Sequence, residues 1–518
     1  MSFSTVLSAA MEGLSVEFVH VEADISNGLP MFHMVGYLSS EVKEASERVR
    51  TAVRNSGIEL PARKMVINLS PATVKKRGAA FDLPIAAAIL GSLGLVTEKS
   101  LEDTLIIGEL SLDGRLREVS GILPIVMAAK EAGCRACILP KSNAAEGSLV
   151  DGIKIIGAEW LQEVYGYLCG TLEIEPEKRS AGLVECGRSK RSSIRGEQAP
   201  DYSDIHGQEA VKRAVEVAVA GGHNILMVGP PGSGKSMIAR RIPTILPPVT
   251  WEESLEITKV YSIMGLVDEE SPLVTKRPFR SVHHTVTRSA LIGGGAIPSP
   301  GEISLAHGGV LFLDELTEFQ KPVLEVLRQP LEEKKIRITR KHGSYVFPAD
   351  FILVAAMNPC PCGNYPDLER CSCTPGQIQQ YLSKISQPFL DRIDICIEAP
   401  RVEYEYLKKD SVEESSEQIR KRVCEARKIQ STRYEGDRAS VNAVLPAGKL
   451  KNYCQLGQEE EAVMEQAFTK LGLTARTYHK TIRVARTIAD LSGEERINAS
   501  HIKEAIGYRM INKKYWGR

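Results

Sequence analysis

Residues 224–241 read Asn224-Ile225-Leu226-Met227-Val228-Gly229-Pro230-Pro231-Gly232-Ser233-Gly234-Lys235-Ser236-Met237-Ile238-Ala239-Arg240-Arg241. A short apolar strand runs into a turn of glycine and proline, and a helical stretch leaves it. Glycines let the backbone curl until successive N–H groups and a helix N-terminus face an anion. In such a loop Gly229, Pro230, Pro231, Gly232, Ser233 and Gly234 wrap the phosphates of ATP, Lys235 reaches the β- and γ-phosphates, and Ser236 ligates Mg2+. The strand before and the helix after separate this pattern from a chance Gly-rich turn. The stretch predicts an α/β nucleotide-binding core.

Two further strands complete that reading. Gly308-Gly309-Val310-Leu311-Phe312-Leu313-Asp314-Glu315 is an apolar run delivering two adjacent carboxylates at its end. Asp314 is expected to hold Mg2+ and Glu315 to polarise the attacking water. Residues 351–357 form a third apolar run ending in Asn358-Pro359, where a neutral amide can orient that water; alone, it reads equally as a turn Asn before Pro.

This order of motifs resembles the AAA+ ATPases, and within them the magnesium-chelatase-like group. Residues 301–316, Asn358-Pro359-Cys360-Pro361-Cys362-Gly363 and Leu390-Asp391-Arg392-Ile393-Asp394 resemble the YifB/ComM family in particular. The resemblance implies a homo-oligomeric ring, a hexamer, in which Arg392 is the finger reaching the γ-phosphate bound by the neighbouring subunit. It also implies a lid arginine contacting nucleotide in cis; Arg483 matches that role and Arg476 competes for it. A guanidinium suits both positions because it stabilises charge on the transferring phosphoryl group. The implied activity is an ATP-hydrolysing motor on DNA, single-stranded or branched, driving branch migration in homologous recombination and natural transformation. The alternative is a chaperone-like ATPase that remodels proteins, as chelatase motor subunits do.

DNA must be met by local patches, because 65 Lys plus Arg cancel 65 Asp plus Glu over the whole chain. Lys334-Lys335-Ile336-Arg337-Ile338-Thr339-Arg340-Lys341 carries five cations without an acid and alternates as a hairpin strand does. Residues 470–486 are also acid-free, and the segment 173–200 is basic and aperiodic, which reads as a flexible linker. Acidic stretches at 410–417 and 459–461 supply the compensating charge.

Cys360, Cys362, Cys371 and Cys373 crowd one Gly/Pro-bearing loop straight after Asn358. Four soft ligands can close a tetrahedral Zn2+ site, although C-x-C is tighter than the usual C-x-x-C knuckle, and four free thiols are the other reading. Cys134 and Cys137 are expected in a core.

Ahead of the linker, strand and helix signals alternate. Val19, Val21, Ala23 and Ile25 recur with period two up to Asn27-Gly28, a hairpin-turn pair, and helical spacing follows at Val42, Ala45, Val49, Ala52 and Val53. Gly108-Glu109-Leu110-Ser111-Leu112-Asp113-Gly114 and Val119-Ser120-Gly121-Ile122-Leu123 resemble the ribosomal-S5-like domain of Lon-type proteases. Those enzymes pair a serine nucleophile with a lysine. Ala80 and Leu123 stand at the corresponding positions, so the resemblance implies a domain without proteolysis.

At 518 residues, several times the ~150-residue domain prior, the chain is expected to divide into four parts. These are an S5-like α/β domain (1–170), a basic linker (171–200), an α/β AAA+ core (201–400) and a helical lid (401–518). Eleven cysteines, an odd number without a basic, apolar leader, suit a reducing compartment. The longest weakly polar run, 83–96, cannot span the ~30 Å of hydrocarbon in a bilayer. A cytoplasmic protein with no membrane partner is expected.

Overall fold

The computed structural model describes residues 3–179, 200–295, 298–340, 343–401, 413–436 and 439–516. The chain begins with β1 (Phe3–Glu12) and β2 (Ser15–Ser26), which form an antiparallel hairpin about Gly13 and Leu14. β3 (Met31–Val35), β4 (Lys64–Ser70) and β5 (Thr104–Ile106) follow, and a small antiparallel pair joins β6 (Glu109–Leu110) to β7 (Leu116–Arg117). With β8 (Ala136–Pro140) and β9 (Lys154–Ala158) they build a mixed seven-stranded sheet, ordered β3-β4-β2-β1-β5-β8-β9.

Asn27-Gly28 does not make the hairpin expected there. β2 pairs with β1 and β4, and β3 lies parallel to β4, so the turn only redirects the chain. The expected 42–53 helix is interrupted at Glu44, dividing into Ser40–Lys43 and Ala45–Asn55. Helix Asp82–Ser92 is buried at every position, as its nearly all-apolar sequence requires. Its first residue, Asp82, is clamped by Arg48, whose Nε and Nη2 donate to the two carboxylate oxygens at 2.8 and 2.9 Å.

The second sheet is wholly parallel. β10 (Ile225–Val228), β11 (Phe279–Val282), β14 (Val310–Leu313), β17 (Ile352–Met357) and β18 (Ile395–Glu398) take the order β11-β14-β17-β10-β18. A two-residue pair, β12 (Gly293–Gly294) and β13 (Ser299–Pro300), and the antiparallel hairpin β15 (Lys335–Arg340) and β16 (Gly343–Pro348) hang from it. β10, β14 and β17 are buried throughout, which is why they read as continuous apolar runs.

Helices Ser416–Arg433, Gln458–Leu471, Ala475–Leu491 and Ala499–Trp516 make up the C-terminal part. They share one apolar core with this sheet: Val423, Met464, Ile488 and Ile502 join Ile225, Met227 and Val354 in a single cluster. The N-terminal part docks separately, through Leu123 and Leu149 against Leu273, with Trp251 and Leu255 of helix Trp251–Ile263 alongside. Most of the basic linker, 180–199, lies outside the described residues.

Candidate nucleotide site

Strand register brings the predicted residues together. Val228 pairs with Met357 and Leu313 with Ala355, so Gly229, Asp314 and Asn358 leave three parallel strands at the same edge. Ligands of open parallel sheets bind at that carboxyl edge. Gly229 is required by packing: a Cβ there would lie 2.1 Å from the Ala399 carbonyl oxygen. Gly234 caps helix Lys235–Ile245 with φ +84°, a left-handed conformation that a side chain would strain.

Lys235 opens that helix and is buried. Its ammonium donates to the carbonyls of Gly229 and Pro230 at 2.7 and 2.8 Å and lies 3.5 Å from Asn358 Oδ1. Burial lowers its pKa to about 8, opposed by the charge of Asp314. Ser236 Oγ donates to Asp314 Oδ2 at 2.6 Å. A hydroxyl and a carboxylate converging beside a phosphate loop are the donor set Mg2+ takes, so these residues fit the ion. Glu315 carries an exposed carboxylate on a backbone at φ +52°, uncommon for a non-glycine residue. Such strain costs on the order of 1–3 kcal/mol and gathers at functional sites.

Two residues of this site escaped the sequence reading. His284 Nδ1 stands 3.6 Å from Glu315 Oε2, just beyond the end of β11. Gln208, also at positive φ, donates from Nε2 to Ser233 O at 3.1 Å and Pro400 O at 2.6 Å, tying the phosphate loop to the segment after β18. No motif spacing marks either one: Gln208 caps helix Glu209–Gly221, ahead of β10, and His284 follows β11.

The arginines lie elsewhere. Arg392 Nε donates to Arg328 O at 3.1 Å, Nη1 to Pro388 O at 2.5 Å, and Nη2 sits 3.0 Å from Glu332. None of these partners belongs to the phosphate loop. Arg476 shares Glu332 with it. Arg483 lies beside Asp394 rather than beside the phosphate loop of its own chain. Its half-buried side chain lies near Asp394, Cys454 and Tyr434, with Nε lacking a hydrogen-bond partner among the described residues. Asp394 accepts from the backbone of Asn224, at the opposite end of β10 from Gly229.

Within segment 470–486 the cations divide: Lys470 and Arg476 are exposed, the latter paired with Glu332. Lys480 is buried 2.8 Å from Asp394, and Arg486 donates to Asp490 and to the carbonyls of Glu494 and Glu495. On the 334–341 segment, Lys335, Arg337 and Arg340 are exposed while Ile336 and Ile338 are buried. Lys334 instead pairs with Asp350 at 3.0 Å, and Lys341 lies outside the described residues.

Cys360, Cys362, Cys371 and Cys373 converge, with all four sulfurs within 4.8 Å of one another. Cys134 and Cys137 are buried in the N-terminal core. There the Lon-type positions are chemically silent: Ala80 offers no nucleophile, and Leu123 is fully buried, its N–H donating to Glu146 Oε1 at 2.9 Å. Gly121 N donates to Ser262 O at 3.0 Å, so helix Trp251–Ile263 of the ATPase core covers this point.

A parallel five-stranded sheet with this loop, carboxylate pair and amide defines a P-loop ATPase of the AAA+ class. The family described as "Magnesium chelatase, subunit ChlI" matches residues 201–407, its C-terminal counterpart matches 413–509, and "Subunit ChlI of Mg-chelatase" matches 21–143. The chain is similar to competence protein ComM of Haemophilus influenzae, 41% identical over 514 residues covering 99% of this chain and 98% of that protein. It is equally similar to the uncharacterized protein YifB of Escherichia coli, 41% identical with the same coverage. Lon protease 2 of Bacillus subtilis is 28% identical over 201 residues, 33% of this chain and 35% of that protein. The chain belongs to the YifB/ComM family of magnesium-chelatase-like AAA+ ATPases, and that family implies ATP and Mg2+. No helix among the described residues is long and apolar enough to cross a membrane.

Proposed function

We propose that this protein is a cytoplasmic, homo-oligomeric ATPase, a hexameric ring, that moves single-stranded or branched DNA and drives branch migration in recombination and the uptake of transforming DNA. The observation that carries the DNA half is the β15–β16 hairpin, whose Lys335, Arg337 and Arg340 face solvent over a buried Ile336 and Ile338. Phosphates are met by such exposed cations. Similarity to a competence protein along nearly the whole chain supports the same reading.

In the catalytic half, Ser236 and Asp314 would hold Mg2+, which when bound neutralises phosphate charge. Lys235 leaves the loop carbonyls to bind phosphate oxygens, Glu315 accepts the proton of the attacking water, and Asn358 orients that water. Arg392 acts on the nucleotide of the adjacent subunit, completing a site that one chain leaves open. Arg483 serves the interface between helices and sheet. The division of labour is a proteolytically inactive Lon-like domain (1–170), a linker (171–200), an ATPase core (201–400) and a helical domain (401–518). The four cysteines hold a structural Zn2+.

A protein-remodelling ATPase is the second reading, favoured by the chelatase families matched across the core and the helical domain. ATP turnover measured with and without single-stranded and four-way-junction DNA separates them: stimulation supports the DNA motor, and neither stimulation nor binding at low salt leaves the remodelling reading.

A further inference from the structure

The cysteine cluster touches the nucleotide site, and the contact assigns it a task. Cys360 Sγ lies 3.4 Å from Cys362 Sγ and 3.8 Å from Cys371 Sγ, and Cys362 Sγ lies 3.6 Å from Cys371 Sγ. A tetrahedral ion with Zn–S of about 2.3 Å sets its sulfurs about 3.8 Å apart, close to this spacing. All four thiols are free of disulfides.

The loop they close has no regular secondary structure. Residues 359–374, between β17 and helix Pro375–Leu382, contain neither strand nor helix, and Leu368 is 82% exposed. Its internal bonds gather at two points: Tyr365 N donates to Cys360 Sγ and Gly363 N to Cys360 O at 3.0 Å, while Glu369 N and Arg370 N donate to Asp367 Oδ1 at 3.1 and 3.3 Å.

That Gly363 bears directly on the phosphate loop. It sits at φ +79°, and a Cβ on it would come within 2.4 Å of Pro231 Cδ and 2.9 Å of Pro231 Cγ. The Gly363 backbone therefore lies flat against the ring of the third residue of the phosphate loop. On the same segment, Cys360 is two residues beyond Asn358, whose amide oxygen faces Lys235. One loop thus meets the nucleotide site from two sides.

We propose that Zn2+ bound by Cys360, Cys362, Cys371 and Cys373 braces the phosphate loop, holding Gly363 against Pro231, so that metal occupancy sets nucleotide affinity. This rests on the zinc reading of the preceding subsection. Binding exchanges four thiol protons for one Zn2+ and involves no redox change. A metal-tied loop contributes here by pre-organisation: without it, ATP must order the loop as it binds.

The test uses the full-length protein. Metal analysis of material purified without chelator should give about one zinc per chain. A zinc-selective chelator, with Mg2+ kept in millimolar excess, should weaken binding of a fluorescent ATP analogue at least tenfold, and one equivalent of zinc should restore it. Gly363→Val, which keeps all four ligands, should retain zinc and lose at least fivefold in affinity. No zinc together with four titratable thiols refutes the zinc reading itself. Unchanged affinity in the metal-free protein, or in zinc-loaded Gly363→Val, leaves the zinc standing and overturns the brace.

Discussion

Two regions of this chain put their side chains to opposite uses. At the carboxyl edge of the parallel sheet, Lys235, Ser236, Asp314 and Asn358 converge within hydrogen-bonding reach, and Glu315 is held exposed on a strained backbone. At the Lon-like site of the N-terminal domain, Ala80 and Leu123 carry no chemistry, and Leu123 is packed beneath helix Trp251–Ile263. The difference shows what a reactive site needs: polar groups kept unsaturated and open to a ligand. The N-terminal region instead fills its space with apolar contacts and serves as a joint.

The largest expected effects fall on the live site. Lys235→Ala should abolish nucleotide binding, measured by equilibrium titration with a fluorescent ATP analogue. Glu315→Gln should bind ATP normally while steady-state turnover falls by about 10²–10⁴-fold, the usual worth of a general base. Full turnover in that variant would break the assignment of Glu315.

The N-terminal positions should not support peptide hydrolysis. Ala80→Ser combined with Leu123→Lys should yield no peptide hydrolysis. It should also lower stability by about 3 kcal/mol or more, because an ammonium is forced among Leu149 and Leu273. Thermal unfolding and a casein digest check both halves.

A smaller effect follows from pH. The Lys235 pKa of about 8 lies below its ordinary value, so in the free protein its charge is present below pH 8 and lost as pH rises through it. Binding to a polyanion then takes up one proton, and ATP affinity should fall toward tenfold per unit above pH 8. The smallest change is expected on the hairpin. Neutralising Lys335, Arg337 and Arg340 together should flatten the slope of log affinity for single-stranded DNA against log salt by about 2.

Much of the live site was legible in the sequence because its chemistry restricts residue type: Gly229 and Gly234 by close approach and φ, Lys235 and Ser236 by phosphate and metal. The strands β10, β14 and β17 were legible as apolar runs because both of their faces are covered. β11 and β18 were not, since four-residue strands with exposed or charged members, Arg280 and Ser281 or Glu398, carry too little pattern.

Charge misled where partners lie far along the chain. Lys480 finds Asp394 eighty-six residues away, with Arg483 half-buried beside them, so part of an acid-free stretch is an internal network. Local spacing has no access to such pairings. His284 and Gln208 were missed for the same reason, each being delivered to the site by the fold alone.

The most direct measurement is ATP turnover by the full-length protein at low salt, with and without a four-way DNA junction, alongside Glu315→Gln as the inactive reference. The account predicts turnover that the junction stimulates several-fold and that Glu315→Gln abolishes under both conditions. Junction DNA that neither binds nor alters turnover would contradict it.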